Sequence, residues 1–378
     1  MPLGPPWRRH FHRGLRHLRD GETAEAAKAF EQALALNPDE PDVLLALARE
    51  RLRQDRFDDA ESLLQRVRQL KPSSVAAAAL LARILGLHQG RREEAFGVVH
   101  QVLSRQPEAV ALQIIRGELL LEEGALPEAR DAFARALDHA PTDELARAGL
   151  ARTFNCEGVA LSENGEDERA VFCFKRAADL DPEWAGPYVN LGVVLGRLGR
   201  TERSLEAYRQ ALARDPSSPA AYYNLASTLH ELGQRREAAE LFERLLEVDP
   251  EYPQGRVALA NVLGELGELD RAVALLLEEL ELAGPCARTF SSLGLAYVCS
   301  GNAERGEECL LRALELDPTY LNALYNLATL YATQERHTDA AALLERAFAT
   351  DPERTAELFA GERRFDGLRR LEQFRFLH

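Results

Sequence analysis

Three asparagines recur in one phrase of the sequence: Asn190 in YVNLGVV, Asn224 in YYNLAST and Asn326 in LYNLATL. Asparagine is a mediocre helix former, because its side chain competes for backbone hydrogen bonds. Each of the three nevertheless lies in an apolar pattern of helical spacing. Its amide can donate to a carbonyl and accept from an N–H at the same time. Such an amide can bind the backbone of another peptide without requiring a particular sequence.

No arrangement of residues typical of catalysis accompanies the asparagines. The sequence lacks the phosphate-binding GxxxxGK[ST], the metalloprotease HExxH and the nucleophile-elbow GxSxG patterns. His230 is interpreted as a lone polar residue and not as a general base. Acidic pairs such as Glu278 and Glu279 are interpreted as solvated helix faces. We therefore expect a protein that is not an enzyme and that uses no cofactor.

The cysteines do not suggest a metal site. Their number is odd, none forms a CxxC pair, and the spacing of zinc ligands is missing. We interpret them as reduced, mostly buried thiols of a cytoplasmic protein. Consistent with that localisation, we find neither a signal-peptide pattern nor a run of about 18 apolar residues that could span a membrane. The five are Cys156, Cys173, Cys286, Cys299 and Cys309.

The asparagines belong to a repeating unit. Prolines recur at steps of 33 to 35 residues, with one longer step of 41. Twelve residues before each proline the residue is small, and eight residues before each it is bulky and apolar. All ten units obey both rules, which makes a repeat array the expected architecture. The prolines are Pro38, Pro72, Pro107, Pro141, Pro182, Pro216, Pro250, Pro285, Pro318 and Pro352.

The sequence of each unit predicts two amphipathic helices. In residues 219–250, the first helix carries Leu225 and Leu229 at helical spacing, and Gly233 ends it. The second helix stops before Pro250, because proline restricts the preceding residue and cannot donate a backbone hydrogen bond. The small residue lets two helices cross closely, and the bulky residue that follows fills the gap to the next unit.

This pattern resembles the tetratricopeptide repeat family over residues 7–354. The resemblance implies an all-α fold, namely a right-handed superhelical solenoid of about ten helix-turn-helix units with a C-terminal capping helix. The small residue of the first helix, usually glycine in the family, is glycine in five units and alanine in the others. The five glycines are Gly14, Gly117, Gly158, Gly192 and Gly294.

One joint departs from the period. The step from Pro141 to Pro182 contains seven extra residues without a glycine or proline run, so we expect a longer first helix at 143–163. The net charge also changes there, from −1 over residues 1–142 to −14 over the remainder. We therefore predict three parts: an N-terminal segment of four units at 7–142, a C-terminal segment of six units at 143–354, and capping helices at 355–378.

The family resemblance also gives the asparagines a location. First helices line a concave groove in this family, and superhelical repeats similar to the repeat region of O-linked N-acetylglucosamine transferase hold extended peptides with asparagines there. The ladder is partial here, because Ala258 and Ser292 take the equivalent places between Asn224 and Asn326. A second interpretation is that the asparagines only hydrogen-bond to a neighbouring helix or to water, as consensus residues of the family often do. In the N-terminal units the equivalent residues are His12, Ala46, Ile115 and Cys156.

Other side chains of the first helices could share this groove. A tyrosine, for example, offers a large contact area with one polar tip. The candidate peptide-binding residues are Asn190, Tyr223, Asn224, Ser227, His230, Asn261, Asn322, Tyr325, Asn326 and Thr329.

The charge of the chain limits its partners. Its net charge of −15 argues against nucleic acid, because phosphate would be repelled. A basic patch near the N-terminus is too small to reverse this and is interpreted as a solvated first helix. We expect a protein partner with a basic extended or helical segment, which would associate faster at low salt. The arginines of the patch are Arg8, Arg9, Arg13, Arg16 and Arg19.

These observations predict a non-enzymatic scaffold or adaptor that binds a partner segment in its groove. Two alternatives stay open. One is a regulatory subunit that docks onto an enzyme or transferase. The other is a self-associating structural protein, a homodimer for example, whose aromatic tail pairs between chains. The tail aromatics are Phe359, Phe365, Phe374 and Phe376.

Overall fold

The computed structural model describes residues 5–365 and Leu368. Over that part of the chain the secondary structure is helical and contains no β-strand, which confirms the all-α prediction. The α-helices found there are α1 (Pro6–Arg19), α2 (Thr23–Leu36), α3 (Pro41–Arg53), α4 (Phe57–Leu70), α5 (Val75–Arg83), α6 (Arg92–Leu103), α7 (Val110–Glu122), α8 (Leu126–His139), α9 (Glu144–Glu163), α10 (Asp167–Leu180), α11 (Gly186–Arg197), α12 (Thr201–Arg214), α13 (Pro219–Glu231), α14 (Arg235–Val248), α15 (Gly255–Leu266), α16 (Leu269–Ala283), α17 (Ala287–Cys299), α18 (Ala303–Leu316), α19 (Leu321–Thr333), α20 (His337–Thr350) and α21 (Pro352–Gly361).

Consecutive helices pack in pairs, as a helix-turn-helix repeat requires. A positive-φ glycine commonly ends the turn after the first helix, as Gly124 and Gly233 do, because glycine enters the left-handed region at little cost. The repeat architecture predicted from the proline period is therefore confirmed. The packed pairs are α1–α2, α3–α4, α5–α6, α7–α8, α9–α10, α13–α14, α15–α16, α17–α18 and α19–α20.

The chain forms two compact units, the N-terminal unit Met1–Val194 and the C-terminal unit Leu195–His378. In the N-terminal unit the first helices α5, α7 and α9 pack side by side. In the C-terminal unit α13, α15, α17 and α19 do the same. We call the surface formed by the first helices of either unit its first-helix face, and the surface formed by the second helices its second-helix face.

Close helix crossing in the N-terminal unit depends on glycine. The Phe133 side chain is completely buried and lies against two glycines. A Cβ built on Gly117 would lie 2.7 Å from its ring, and one built on Gly149 would lie 2.2 Å away. Gly149 belongs to the early turns of α9, which is 20 residues long. The extra residues of this helix therefore pack Ala146, Gly149 and Leu150 around Phe133.

The third hairpin has a feature that the proline period does not reveal. After Arg83, helix α5 continues as a π-helical segment, Ile84–His88. A π turn accommodates an additional residue within a helix, and the step between Pro72 and Pro107 is 35 residues long. The step between Pro250 and Pro285 is equally long without a π-helical segment among the described residues, so the step length does not reveal this feature.

The C-terminal residues cover the last hairpin. The Asp351 carboxylate accepts a hydrogen bond from the backbone N–H of Arg354 and so caps α21. Phe359, Phe365 and Leu368 are buried in the same apolar cluster as α19 and α20. Phe359 and Phe365 are therefore used within their own chain and are not exposed for pairing with another copy. The other two tail aromatics, Phe374 and Phe376, lie outside the described residues.

The expectation of mostly buried thiols is wrong, because Cys156, Cys286 and Cys299 are exposed and only Cys173 is fully buried. They lie on first helices or at a helix start, where one side faces solvent.

Among the described residues, no helix combines the length and apolar character needed to cross a lipid bilayer.

Candidate functional site

The C-terminal unit carries a cleft of about 410 Å³ on its first-helix face. Helices α13, α15, α17 and α19 all contribute to it, and four of the predicted groove residues line it: His230, Asn261, Asn322 and Asn326. The structure thus brings together side chains that are almost 100 residues apart in sequence. The other lining residues are Ala260, Gly264, Glu265, Leu269, Ser291, Ser292, Leu295, Ala296, Cys299 and Tyr320.

The amides in this cleft are not used by the fold. Asn261 and Asn322 are exposed, and Asn326 is half-buried. None of the three side-chain amides hydrogen-bonds to another of the residues that the structure describes. Each can therefore donate to and accept from a bound peptide.

Gly264 keeps one wall of this cleft open. It lies inside α15, where glycine is less stable than alanine by about 0.5–1 kcal/mol. A Cβ at this position would meet no atom of the described residues within 4 Å, whereas one on Gly117 would clash with Phe133. Packing within the unit therefore does not require glycine at 264. Its missing side chain instead leaves space in the cleft.

Glu265 lies at one end of the cleft and contacts two basic side chains, His230 and Arg235. His230 Nε2 lies 2.9 Å from Glu265 Oε1, and Arg235 Nε donates to Glu265 Oε2 over 2.5 Å. Partial burial would raise the pKa of Glu265, but the hydrogen bonds from Arg235 and His230 outweigh burial, and the pKa is lowered. Glu265 therefore stays ionised near neutral pH. His230 is held in the wall by this contact.

Three of the predicted groove residues pack inside the unit instead of lining the cleft. The Tyr223 ring lies 5.7 Å from the Phe242 ring and 5.4 Å from the Tyr252 ring. Tyr325 packs edge-on against Phe365, and its hydroxyl donates to the Leu358 carbonyl. Thr329 is buried, and its hydroxyl donates to the carbonyl of Tyr325.

Two further candidates on α13 lie beside the cleft without lining it. Asn224 and Ser227 are half-buried. The Asn224 amide has no hydrogen bond to the residues described. Asn224 and Asn326 thus share one sequence phrase, but only Asn326 forms part of the cleft wall.

Asn190 has a different environment in the N-terminal unit. Its Nδ2 donates over 3.0 Å to Oδ1 of Asn155, which lies on the preceding first helix, α9. This contact matches the interpretation in which the asparagine only joins neighbouring helices. The 34-residue period aligns Cys156 with Asn190, so the sequence pattern does not identify Asn155. A step of 35 residues would align the two asparagines.

A second cleft, on the first-helix face of the N-terminal unit, was not predicted. It has a volume of about 450 Å³ and mostly apolar walls. Apolar residues occupy the places that asparagine takes later in the chain, as Ile115 shows, and such residues are easily mistaken for core. The lining residues are Arg49, Ala76, Ala79, Leu80, Arg83, Val110, Ala111, Ile114, Ile115, Asp143 and Leu145.

Family models match most of the repeats. Models described as tetratricopeptide repeat match residues 17–84 and 229–282, residues 86–144 and residues 285–353. A model described as TPR repeat matches residues 197–233.

Curated relatives match part of the chain. Cellulose synthase operon protein C of Pseudomonas fluorescens (strain SBW25) is 30% identical over 148 residues, which cover 37% of this chain. Tetratricopeptide repeat protein 21A of Mus musculus is 28% identical over 172 residues, which cover 45% of this chain. The matched part spans only 12% and 13% of these two relatives.

Among solved structures, one similar chain is YrrB, described as a TPR protein with an unusual peptide-binding site. It is 24% identical, with a TM-score of 0.44, and the match covers 52% of this chain and 97% of that one.

Proposed function

Because the chain belongs to the tetratricopeptide-repeat family, whose arrays act as protein-interaction scaffolds, we propose that it is a non-enzymatic adaptor. It binds a segment of a partner protein in the cleft on the first-helix face of the C-terminal unit. The asparagine amides hold the backbone of this segment, and the apolar wall takes one of its side chains.

The observation that carries this proposal is the set of unpaired amides around an open cleft. Asn261, Asn322 and Asn326 line one space, and their amides have no hydrogen-bond partner among the described residues. Gly264 leaves that space free at a cost to helix stability. A fold that needed neither the amides nor the glycine for packing would gain stability from other residues at these positions.

The charge of this region favours a basic partner segment. Residues 143–378, which include the C-terminal unit, carry a net charge of −14. Glu265 at the edge of the cleft is ionised but already paired with Arg235, so the overall charge and not this carboxylate favours a basic segment. Electrostatic attraction of this kind mainly raises the association rate and weakens as salt screens it. We therefore expect association to slow as ionic strength rises.

Quantitative affinity capture tests the proposal. The wild type is compared with Gly264→Trp, which should fill the cleft without disturbing α15, and with Asn326→Ala. Asn224→Ala is the matched control for the second variant, because it removes the same amide from the same phrase outside the cleft. Circular dichroism establishes that each variant folds.

The expected result is a set of proteins captured by the wild type and Asn224→Ala, lost with Gly264→Trp and reduced at least severalfold with Asn326→Ala. If Gly264→Trp captures the same proteins in the same amounts as the wild type, the cleft is not the binding site.

A further inference from the structure

A cleft of about 670 Å³ lies beside α6 and α8 on the second-helix face of the N-terminal unit, and the first helix α7 contributes Gln113 and Arg116 to its wall. Its charge is unusual for this chain, which has a net charge of −15. Two arginines and a histidine line the cleft, and no carboxylate does so among the described residues. Arg135 forms an ion pair of 3.0 Å with Asp131 on its own helix, whereas Arg116 has no ion pair with the residues described. The lining residues are Phe96, Gly97, Val99, His100, Leu103, Ser104, Pro107, Gln113, Arg116 and Arg135.

A buried amide in this cleft lacks a partner. Gln113 is 2% exposed, and its Nε2 donates over 3.0 Å to the carbonyl of Pro107. Because a carbonyl can only accept, this bond fixes which end of the amide is the oxygen. Gln113 Oε1 has no hydrogen-bond partner among the described residues. A buried acceptor without a partner destabilises the fold, so the position calls for a donor from outside.

Gly97 shapes the cleft in the same way that Gly264 shapes the first-helix cleft. It lies inside α6, and a Cβ there would meet no atom within 4 Å in the part of the chain that the structure describes. Gly97 also lines a neighbouring cavity of about 540 Å³, whose wall contains Arg68 and also Glu94, which is paired with Arg91. Arg68 Nε is buried and has no partner in the described part of the chain. The two cavities meet at Gly97, so the surface suits a chain segment better than a single small group.

We propose that this surface binds an acidic, extended peptide segment of a partner protein. Acidic side chains of the segment pair with Arg116 and Arg135, and a large apolar side chain lies on Phe96 and Leu103. A backbone N–H of the segment donates to Gln113 Oε1, which requires the side chains that cover this buried atom to shift. A carboxylate lipid would satisfy the arginines and the apolar wall, but it has no donor for this oxygen. The site is distinct from the cleft of the proposed function and differs from it in the charge of its partner.

Fluorescence anisotropy with defined peptide pools tests this inference. Both pools consist of fluorescein-labelled heptapeptides with a central Phe or Leu, flanked in one pool by Asp and Glu and in the other by Lys and Arg. The wild type should bind the acidic pool at least tenfold more tightly than the basic pool. Affinity for the acidic pool should fall as salt is raised.

Variants identify the residues that contribute to binding of the acidic peptide pool. Gly97→Trp fills the cleft without changing charge and should weaken binding of the acidic pool at least tenfold, and Arg116→Glu should do the same. Gln113→Met, which removes the acceptor, should weaken it severalfold. Arg92→Glu, on the same helix but outside the cleft, should leave affinity unchanged, and so should Gly264→Trp. Circular dichroism and urea midpoints establish that the variants fold.

Three outcomes overturn the inference. One is equal binding of the two pools, and another is wild-type affinity in Gly97→Trp. The third is that dodecanoate binds this cleft, with loss in Gly97→Trp, while neither pool binds, which would make it a lipid site. Because Gly264→Trp tests the other cleft, failure of one proposal does not imply failure of the other.

Discussion

At the scale of single residues, helix-interior glycines of this protein fall into two kinds. Gly117 and Gly149 are required by packing, since a Cβ on either would overlap Phe133. Gly97 and Gly264 are not, since a Cβ on either would meet none of the described atoms within 4 Å, and both line clefts. The same residue type therefore marks the tightest contacts and the most open surfaces.

This distinction predicts opposite effects of one substitution. Gly117→Ala should destabilise the N-terminal unit by about 1–3 kcal/mol, because Phe133 must move to admit the methyl group. Gly97→Ala should stabilise the same unit by up to about 1 kcal/mol, because alanine is the better helix former. Urea midpoints of the two variants and the wild type measure the difference. Equal shifts in one direction would contradict the assignment.

Glu50 is a buried carboxyl group whose ionisation should oppose folding. It is completely buried, Arg53 donates to one of its oxygens, and the other oxygen has no partner among the described residues. Burial raises the pKa of Glu50, although Arg53 acts in the opposite direction. The folded state therefore binds more protons than the unfolded state between the ordinary and the raised pKa, and its stability falls as pH rises through that range.

Glu50→Gln should accordingly be more stable than the wild type at pH 7, by about 1 kcal/mol, because no charge has to be buried. The advantage should shrink as pH falls below the ordinary pKa of glutamate, where both side chains are neutral. Urea midpoints of the two proteins at pH 4 and pH 7 provide the comparison. A difference that does not depend on pH would show that ionisation of Glu50 is not its cause.

At the scale of helices, the sequence predicts the hairpins well, because each carries its own small residue, bulky residue and terminating proline. The π-helical segment Ile84–His88 is not predicted, because one inserted residue leaves the apolar pattern on both sides intact. The candidate site is predicted in part. Spacing identifies which residues lie on first helices, but it does not show that Tyr325 turns toward Phe365 while Asn326 faces the cleft.

The long helix α9 offers a test at this scale. Asp143 accepts a hydrogen bond over 2.9 Å from the backbone N–H of Ala146 and so caps the turns that pack on Phe133. Asp143→Ala should lower the free energy of unfolding of the N-terminal unit by about 1 kcal/mol. Hydrogen exchange of the amides in the first two turns of α9 should become faster. Glu144→Ala, at the exposed neighbouring position, is the control and should leave their exchange nearly unchanged.

At the scale of the whole molecule, the first-helix cleft of the C-terminal unit and the second-helix cleft of the N-terminal unit differ in the charge of the partner that each favours. The first-helix cleft of the C-terminal unit lies in the acidic part of the chain and favours a basic segment. The second-helix cleft of the N-terminal unit is lined by arginines and favours an acidic one. Partners of opposite charge would not compete for one surface, which is the property that an adaptor needs. The boundary predicted at residue 142 stays a prediction.

In a repeat array a destabilising substitution mainly affects the hairpins near it, because each hairpin contacts only its neighbours. Phe365 is completely buried against the last hairpin, where it contacts Tyr325 and Phe359. Phe365→Ala should therefore cost the C-terminal unit about 3–5 kcal/mol and speed hydrogen exchange in α19 and α20. Exchange in α1 to α8 should not change. Loss of protection across both units would show that the chain unfolds as one cooperative body. A changed molar mass in light scattering would instead favour pairing of the tail between chains.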